Sequence, residues 1–169
     1  MRKITLKNKL GHIKMLLLDV DGVLTDGKLI YNNSGIELKM FDVKDGYGLV
    51  RLKKSGIKLG IITAKKSSIV ETRAKDLGID TLYQNSEDKI IPYKEIKKKY
   101  KLSDNDIAYI GDDIPDLPVL RIVGVPIAVK NAAKPVKKVS LYITKKNGGC
   151  GAVREVVELI MQAKGEPLG

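Results

Sequence analysis

Short apolar runs alternate with more polar stretches along most of the chain. Four runs are rich in Ile, Leu and Val and predict buried strands of a parallel sheet, at residues 15–18, 57–62, 107–110 and 125–129. Two weaker runs predict further strands, at residues 81–84 and 141–144. Because the intervening stretches favour helices, the pattern predicts an α/β fold: a three-layer, doubly wound, Rossmann-like parallel sheet with helices on both faces.

The stretches between the strands carry helix signals. Helices are predicted at residues 46–54, 67–77, 87–101, 115–123 and 152–163. Ser67 is a candidate N-cap, and Gly56 and Gly78 stand where two helices would stop. The last helix has apolar residues at helical spacing, which predicts a face that docks on the core, at Val153, Val156, Val157 and Ile160.

One segment interrupts the alternation. Residues 28–31 and 36–41 flank Asn-Asn-Ser-Gly at residues 32–35, which is typical of a β-hairpin inserted after the first strand, within about residues 26–42. An isolated hairpin is marginally stable in water and is too small to form a lid domain. We therefore expect one domain over residues 1–169, without a cap domain, whose hairpin is covered by another subunit.

Composition excludes several classes of chemistry. The chain has 169 residues with one Cys (Cys150) and one His (His12), so an internal disulfide is impossible, and Ser-His-Asp, Cys-His and multi-His metal sites are not expected. The net charge is +11, but the lysines are spread along the chain and Trp is absent, so we expect no nucleic-acid groove. No apolar run approaches the roughly 18 residues of a membrane span, so we expect no membrane partner. Residues 1–10 lack an apolar signal core, which predicts a cytoplasmic protein.

Polar residues follow three predicted strands at the point where each ends. Asp19 and Asp21 follow the first strand, Thr63 the second, and Asp112 and Asp113 the third. Ligands of an open α/β sheet bind at this edge. A single Asp after a strand usually serves a turn, but carboxylates this close repel one another unless a cation or a proton neutralises them. Oxygen-only donors favour Mg²⁺, so the cluster predicts a magnesium site.

These residues belong to longer motifs. Asp19-Val-Asp21-Gly-Val-Leu-Thr25, Thr63, Lys89 and Gly111-Asp112-Asp113-x-x-Asp116 resemble the four motifs of the haloacid dehalogenase phosphatases. Three further segments resemble its capless branch, the phosphatases of 3-deoxy-D-manno-octulosonate 8-phosphate: Phe41-Asp-Val-Lys-Asp-Gly-Tyr-Gly48, Tyr109-Ile-Gly-Asp-Asp113 and Gly148-Gly-Cys-Gly-Ala-Val-Arg-Glu155. The resemblance covers roughly residues 12–165 and implies an Mg²⁺-dependent phosphoric monoester hydrolase.

The resemblance also implies catalytic roles. Asp19 would be the nucleophile that forms an aspartyl-phosphate, and Asp21 would act as general acid and then as general base. Mg²⁺ would be held by Asp19, the backbone carbonyl of Asp21 and Asp112. Thr63 and Lys89 would bind the phosphoryl group.

The remaining implied residues support these groups or bind the sugar. Asp113 and Asp116 would orient the metal site from behind its ligands. The sugar acid would contact a short stretch after the hairpin and two basic residues, namely Asp42, Val43, Lys44, Asp45, Gly46, Lys65 and Arg73. The resemblance further implies a homotetramer in which neighbouring hairpins, and a neighbour's C-terminal tail, close the site.

Other functions remain open at this point. The same chemistry could act on a sialic-acid-type 9-phosphate, because Ala64 and Lys65 stand where the family more often has Gly-Arg. A non-enzymatic phosphoacceptor or assembly module would also combine an α/β sheet with Asp, Thr and Lys. In phosphoacceptor domains, however, the modified Asp follows a central strand and not the first.

Overall fold

The computed structural model describes residues 6–166. Residues 1–5, which are half of the segment expected to lack an apolar signal core, and residues 167–169, at the end of the C-terminal tail, lie outside the described residues. Six parallel strands form one sheet: β1 (Met15–Leu18), β4 (Lys58–Ile62), β5 (Thr81–Tyr83), β6 (Ile107–Gly111), β7 (Val125–Ala128) and β8 (Tyr142–Ile143). A separate two-stranded sheet pairs β2 (Ile30–Tyr31) with β3 (Glu37–Leu38).

The order of the strands places a topological switch point at β1. The sheet runs β5-β4-β1-β6-β7-β8, so the chain first builds one side of β1 and then the other. Leu18 at the end of β1 lies opposite Ile61 of β4 and Ile110 of β6. The residues that follow these three strands therefore emerge at one edge of the sheet, where a doubly wound fold binds its ligands.

Helices cover the sheet in two groups. One group contains α1 (Leu6–His12), α2 (Val43–Lys54) and α7 (Ala152–Ala163), with α7 packed on both others. The other contains α4 (Ile90–Tyr100), α5 (Leu117–Leu120) and α6 (Lys134–Val139), and α3 (Ser68–Asp76) lies between β4 and β5 in the chain. Every residue of β1 and β6 is buried, which requires a covering layer on both faces. The expected three-layer α/β fold is confirmed.

Helix ends differ from the expected positions where side chains cap them. Helix α2 begins three residues early, because the Asp42 carboxylate accepts hydrogen bonds from the amides of Lys44 and Asp45. The helix expected at 115–123 is instead a 3₁₀ turn (Ile114–Asp116) followed by the four-residue α5. The short helices α1 and α6 were not expected, since six or seven residues carry little periodicity.

The hairpin is smaller than the sequence suggests. Only two residue pairs join its strands, Ile30 with Leu38 and Tyr31 with Glu37. Its apolar side chains are mostly exposed to solvent, at Leu29, Ile30, Tyr31, Ile36, Leu38 and Met40. Within residues 6–166, no helix combines the length and the apolar character needed to span a bilayer.

Candidate active site

Asp19 stands at the carboxyl end of β1, at the switch point of the sheet. Its backbone amide donates to the carbonyl of Ile110 on β6 at 3.1 Å, so the turn after β1 is held by the neighbouring strand. Its Oδ1 accepts from the amide of Val20 at 2.6 Å, and its Oδ2 lies 2.8 Å from Lys89 Nζ. The carboxylate is thus fixed in orientation at the wall of a cavity.

Lys89 is buried between two carboxylates. Its side chain is 1% exposed, and Nζ contacts Asp19 Oδ2 at 2.8 Å and Asp116 Oδ1 at 2.7 Å. Burial alone would lower the pKa of Lys89, but the charges of Asp19 and Asp116 outweigh it and raise that pKa above its usual value. Lys89 therefore remains cationic between these carboxylates, whereas a lysine near a helix start is usually solvated.

Asp116 uses all of its acceptor positions within the protein. Oδ1 accepts from Lys89 and from the Tyr109 hydroxyl, and Oδ2 accepts from the backbone amides of Asp112 at 2.8 Å and Asp113 at 3.2 Å. The carboxylate reaches these amides because Gly111 has no side chain: a Cβ there would lie 2.6 Å from Asp116. A carboxylate so fully engaged positions its neighbours and has no lone pair left for a metal.

Asp19, Asp112 and Asp116 bring carboxylate oxygens within 4.8 Å of one another. Burial, reinforced by the charge of Asp116, raises the pKa of Asp19 to about 6 despite Lys89. Burial and the charges of Asp19, Asp116 and Asp113 raise the pKa of Asp112 to about 7. The charge at this edge is more negative than one buried lysine can balance.

The donor set fits a hard divalent cation. Asp112 lies against the backbone at Gly22, where a Cβ would fall 2.1 Å from Asp112 Oδ2, and the φ of +89° at Gly22 also favours glycine. Asp19 and Asp112 then supply carboxylate oxygens beside the turn that carries Asp21. Oxygen ligands without His or Cys are those that Mg²⁺ prefers, since it keeps several waters and shares a substrate phosphate.

The side chain of Asp21 is held by the hairpin. Lys39, just after β3, places Nζ 2.5 Å from Asp21 Oδ1 and 3.0 Å from Glu37 Oε1, and the Lys39 side chain is only 2% exposed. Burial tends to lower the pKa of Lys39, but its hydrogen bonds to Asp21 and Glu37 raise it overall. The hairpin thus fixes the Asp21 carboxylate at this edge of the sheet.

A cavity of about 340 Å³ brings seven of the fourteen expected site residues together. It is lined by residues from the ends of β1, β4 and β6 and by Lys89, among them Asp19, Asp21, Thr63, Lys65, Lys89, Asp112 and Asp113. The Asp113 side chain also accepts from the amide of Ile114 at 2.8 Å and so caps the turn that delivers Asp116. Thr63 is 3% exposed and presents its hydroxyl-bearing side chain at this wall.

Arg73 lies in a second groove of about 470 Å³, formed between the end of the hairpin and α3. Its guanidinium stacks over Phe41, with Cζ 5.4 Å from the ring centroid. Lys39 and Val43 line the same groove. Since Lys39 also contacts Asp21, this groove adjoins the cavity that contains Asp19.

Three residues of the stretch 42–46 serve internal contacts. Asp42 caps α2, as described above. Asp45 is 1% exposed, its Oδ1 accepts from the Arg154 amide in the first turn of α7 at 2.7 Å, and burial raises its pKa to about 6. Gly46 leaves the space that Arg73 fills, since a Cβ would lie 2.4 Å from its Nη2. Val43 and Lys44 are exposed.

Comparison with known proteins agrees with this geometry. Residues 79–157 match the family model of the haloacid dehalogenase-like hydrolases. The 3-deoxy-D-manno-octulosonate 8-phosphate phosphatase of Escherichia coli K12 is 42% identical over 158 residues, which cover 94% of this chain and 84% of that protein. The chain belongs to the haloacid dehalogenase-like hydrolases.

Solved structures of such hydrolases superpose closely. The Moraxella catarrhalis 3-deoxy-D-manno-octulosonate 8-phosphate phosphatase, in complex with a magnesium ion, a phosphate ion and KDO, has a TM-score of 0.92 and 48% identity, covering 94% of this chain and 91% of that chain. A cobalt-bound deoxy-D-mannose-octulosonate 8-phosphate phosphatase from Haemophilus influenzae has a TM-score of 0.89 and 37% identity, covering 93% and 92%. The expected family is confirmed.

Sequence reasoning assigned no role to two residues of this hydrolase that contact its catalytic groups. Lys39 is one of 31 basic residues, and no local pattern marks it as the partner of Asp21. Tyr109 lies in the apolar run that predicts β6, so the sequence indicates only a core residue. Its hydroxyl nevertheless donates to Asp116 Oδ1 at 2.6 Å. No spacing rule of a strand predicts this contact, which exists only because Gly111 lets the chain bring Asp116 back beneath the strand.

The raised pKa values of Asp19 (about 6) and Asp112 (about 7) predict how pH affects stability. Since both exceed the ordinary value of 3.8, the folded protein binds these two protons more tightly than the unfolded chain does. The free energy of unfolding is therefore higher at low pH, and this extra stability is lost as the pH rises through 6 to 7. In calorimetry without metal, we expect Tm to fall by about 5 °C or more from pH 5 to pH 8.

Addition of Mg²⁺ isolates the part of this effect that comes from the site. We expect Mg²⁺ to raise Tm more at pH 8 than at pH 5, because protonated carboxyls bind cations poorly. In Asp112→Asn the Mg²⁺-dependent rise should shrink at both pH values. An equal effect of Mg²⁺ at both pH values in the unsubstituted protein would contradict the charge balance described here.

Proposed function

We propose that this protein hydrolyses 3-deoxy-D-manno-octulosonate 8-phosphate to the free sugar acid and phosphate, with Mg²⁺ as cofactor. The observation that carries the proposal is the edge formed by Asp19, Lys89 and Asp112, where a nucleophile, a buried cation and a metal-binding carboxylate meet. The Moraxella relative, at 48% identity, binds magnesium, phosphate and KDO, which supports both the cofactor and the sugar.

The first half of the reaction transfers the phosphoryl group to the protein. A carboxylate oxygen of Asp19 attacks phosphorus, the bond from phosphorus to the sugar oxygen breaks, and Asp21 gives its proton to that oxygen. Lys89 and Thr63 stabilise the charge on the phosphoryl oxygens. Mg²⁺, held by Asp19, Asp112 and the backbone carbonyl of Asp21, supplies further neutralisation of charge between these carboxylates and the phosphate.

The second half regenerates Asp19. The Asp21 carboxylate, deprotonated in the first half, takes a proton from water as the water attacks phosphorus, and the bond from phosphorus to the Asp19 oxygen breaks. Lys39 holds Asp21 Oδ1 at 2.5 Å, so the other carboxylate oxygen carries the transferred proton. Asp116 keeps Lys89 and Asp112 in place, and Asp113 caps the turn that carries Asp116.

The sugar acid would extend from the cavity that contains Asp19 into the groove that contains Arg73. Its carboxylate needs a cationic partner, and Lys65 in the cavity or Arg73 in the groove can provide one. Of residues 42–46, Val43 lines this groove and Gly46 makes room there for Arg73.

We further propose that the chain is a single domain without a cap and that it assembles as a homotetramer through the hairpin. The exposed apolar side chains of the hairpin support this, because a two-stranded sheet with such a surface is not stable alone. We also propose that the reaction takes place in the cytoplasm. A phosphorylated sugar acid carries too much charge to cross a bilayer unaided, so the enzyme must act in the compartment where this substrate is made.

Replacement of the nucleophile tests the chemistry. Asp19→Asn keeps the shape but removes the negative charge, so we expect kcat for phosphate release to fall at least about 10³-fold. Asp80→Asn, at a carboxylate whose side chain is 87% exposed, is the control and should behave like the unsubstituted protein. Phosphate release by Asp19→Asn at a comparable rate would reject the nucleophile.

The identity of the sugar is tested by comparing kcat/KM for two substrates. We expect kcat/KM for 3-deoxy-D-manno-octulosonate 8-phosphate to exceed that for a sialic-acid-type 9-phosphate by about tenfold or more, because contacts that orient the correct sugar act in the transition state. The two rates are measured with Mg²⁺ at equal enzyme concentration. The reverse preference would overturn the proposed substrate and leave the phosphatase chemistry intact.

Assembly is tested with a matched pair of substitutions. Ile36 in the hairpin and Ile91 on α4 are both 58% exposed. We expect Ile36→Lys to lower the mass measured by light scattering at micromolar concentration, because it places a charge in the proposed interface, while Ile91→Lys leaves the mass unchanged. A chain that is already monomeric without substitution would refute the homotetramer.

A further inference from the structure

Tyr109 is a fully buried tyrosine of β6 whose hydroxyl points at the catalytic edge. Its side chain is 0% exposed, and its OH donates to Asp116 Oδ1 at 2.6 Å. Burial, together with the charges of Asp116 and Asp19, raises the pKa of this hydroxyl well above its usual range, so it stays a donor. A phenylalanine would fill the same space, so the requirement for tyrosine rests on this hydrogen bond.

The hydroxyl and the Lys89 ammonium share one oxygen of Asp116. Lys89 Nζ lies 2.7 Å from Asp116 Oδ1 and 2.8 Å from Asp19 Oδ2. The position of Asp116 Oδ1 therefore determines how close the ammonium group lies to each of the two carboxylates. The second oxygen of Asp116 binds the backbone amides of Asp112 and Asp113. Any rotation of this carboxylate would therefore move both a phosphate-binding cation and a metal-binding residue.

We propose that Tyr109 is a positioning residue for catalysis: its hydroxyl fixes the rotation of the Asp116 carboxylate and thereby places Lys89 and Asp112. This inference rests on the proposed phosphatase reaction. Without the hydroxyl, Asp116 Oδ1 has Lys89 as its remaining donor, and the lysine is drawn from Asp19 toward Asp116. The ammonium group of Lys89 is then misplaced relative to the phosphoryl group during transfer. This misplacement lowers kcat more than it raises KM.

The chain contains a matched control with the same chemistry elsewhere. Tyr93 on α4 is also 0% exposed and donates to an aspartate, Asp104 Oδ1, at 2.6 Å. A lysine, Lys97, contacts the same oxygen at 2.6 Å. Asp104 lies in the 3₁₀ turn just before β6, at the amino edge of the sheet and so at the opposite end of that strand from Asp112.

The test compares Tyr109→Phe with Tyr93→Phe, each of which removes one hydroxyl from a buried Tyr-Asp-Lys group. We expect both to lower Tm. Only Tyr109→Phe should reduce kcat, by about 10- to 100-fold, with KM changed less than about threefold. Vanadate, which mimics the phosphoryl group in flight, should inhibit Tyr109→Phe about tenfold less strongly, and Mg²⁺ should raise its Tm less than it raises that of Tyr93→Phe.

A double variant shows whether Tyr109 acts through Asp116. Tyr109→Phe/Asp116→Ala should be no slower than Asp116→Ala alone, because no side-chain acceptor then remains at position 116 for the hydroxyl to orient. Multiplicative losses in kcat, or equal kcat for Tyr109→Phe and Tyr93→Phe, would overturn the inference. If the unsubstituted protein releases no phosphate, the proposed function fails instead. Should Tyr109→Phe not fold while Tyr93→Phe does, the role is structural and the inference is wrong.

Discussion

Crowding of negative charge at one edge of the sheet is the constraint on which the rest of the structure depends. Asp19 follows β1, and Asp112 and Asp116 follow the neighbouring strand β6. Because these two strands end in register, oxygens of the three carboxylates lie within 4.8 Å of one another. Burial makes this repulsion costly, and it raises the pKa values of Asp19 and Asp112. The site is stable only if protons or cations neutralise it, and in the proposed reaction the cations also stabilise the phosphoryl group as it is transferred.

The local backbone is adapted to this arrangement. Gly22 leaves room for the Asp112 carboxylate, and Gly111 leaves room for Asp116 beneath β6. The loop at Gly148 and Gly149 packs against the turn after β1, where the Gly149 amide donates to the carbonyl of Val23 at 2.9 Å. Side chains at Gly148 or Gly149 would displace the turn after β1, which carries Asp21.

The sequence predicts well the sheet and the meeting of these polar residues at one of its edges, because both depend on local patterns. The runs at β1 and β6 are apolar throughout since both faces are covered, and Asp19, Thr63 and Asp112 follow strands directly. It predicts less well what depends on distant contacts. Lys89 lies buried between Asp19, which follows β1, and Asp116, in the turn after β6, and Lys39 reaches Asp21 only because the hairpin folds back. Short helices such as α6 form by packing, which leaves little periodic signal.

The central claim is that Asp19 accepts the phosphoryl group at this neutralised edge. The most direct measurement is to quench a reaction with acid during turnover, reduce the acyl phosphate with borohydride and locate the resulting homoserine by mass spectrometry. The account predicts homoserine at position 19, dependent on both Mg²⁺ and substrate. Homoserine in place of Asp21 or Asp112, or turnover with no reduced residue at all, would contradict it.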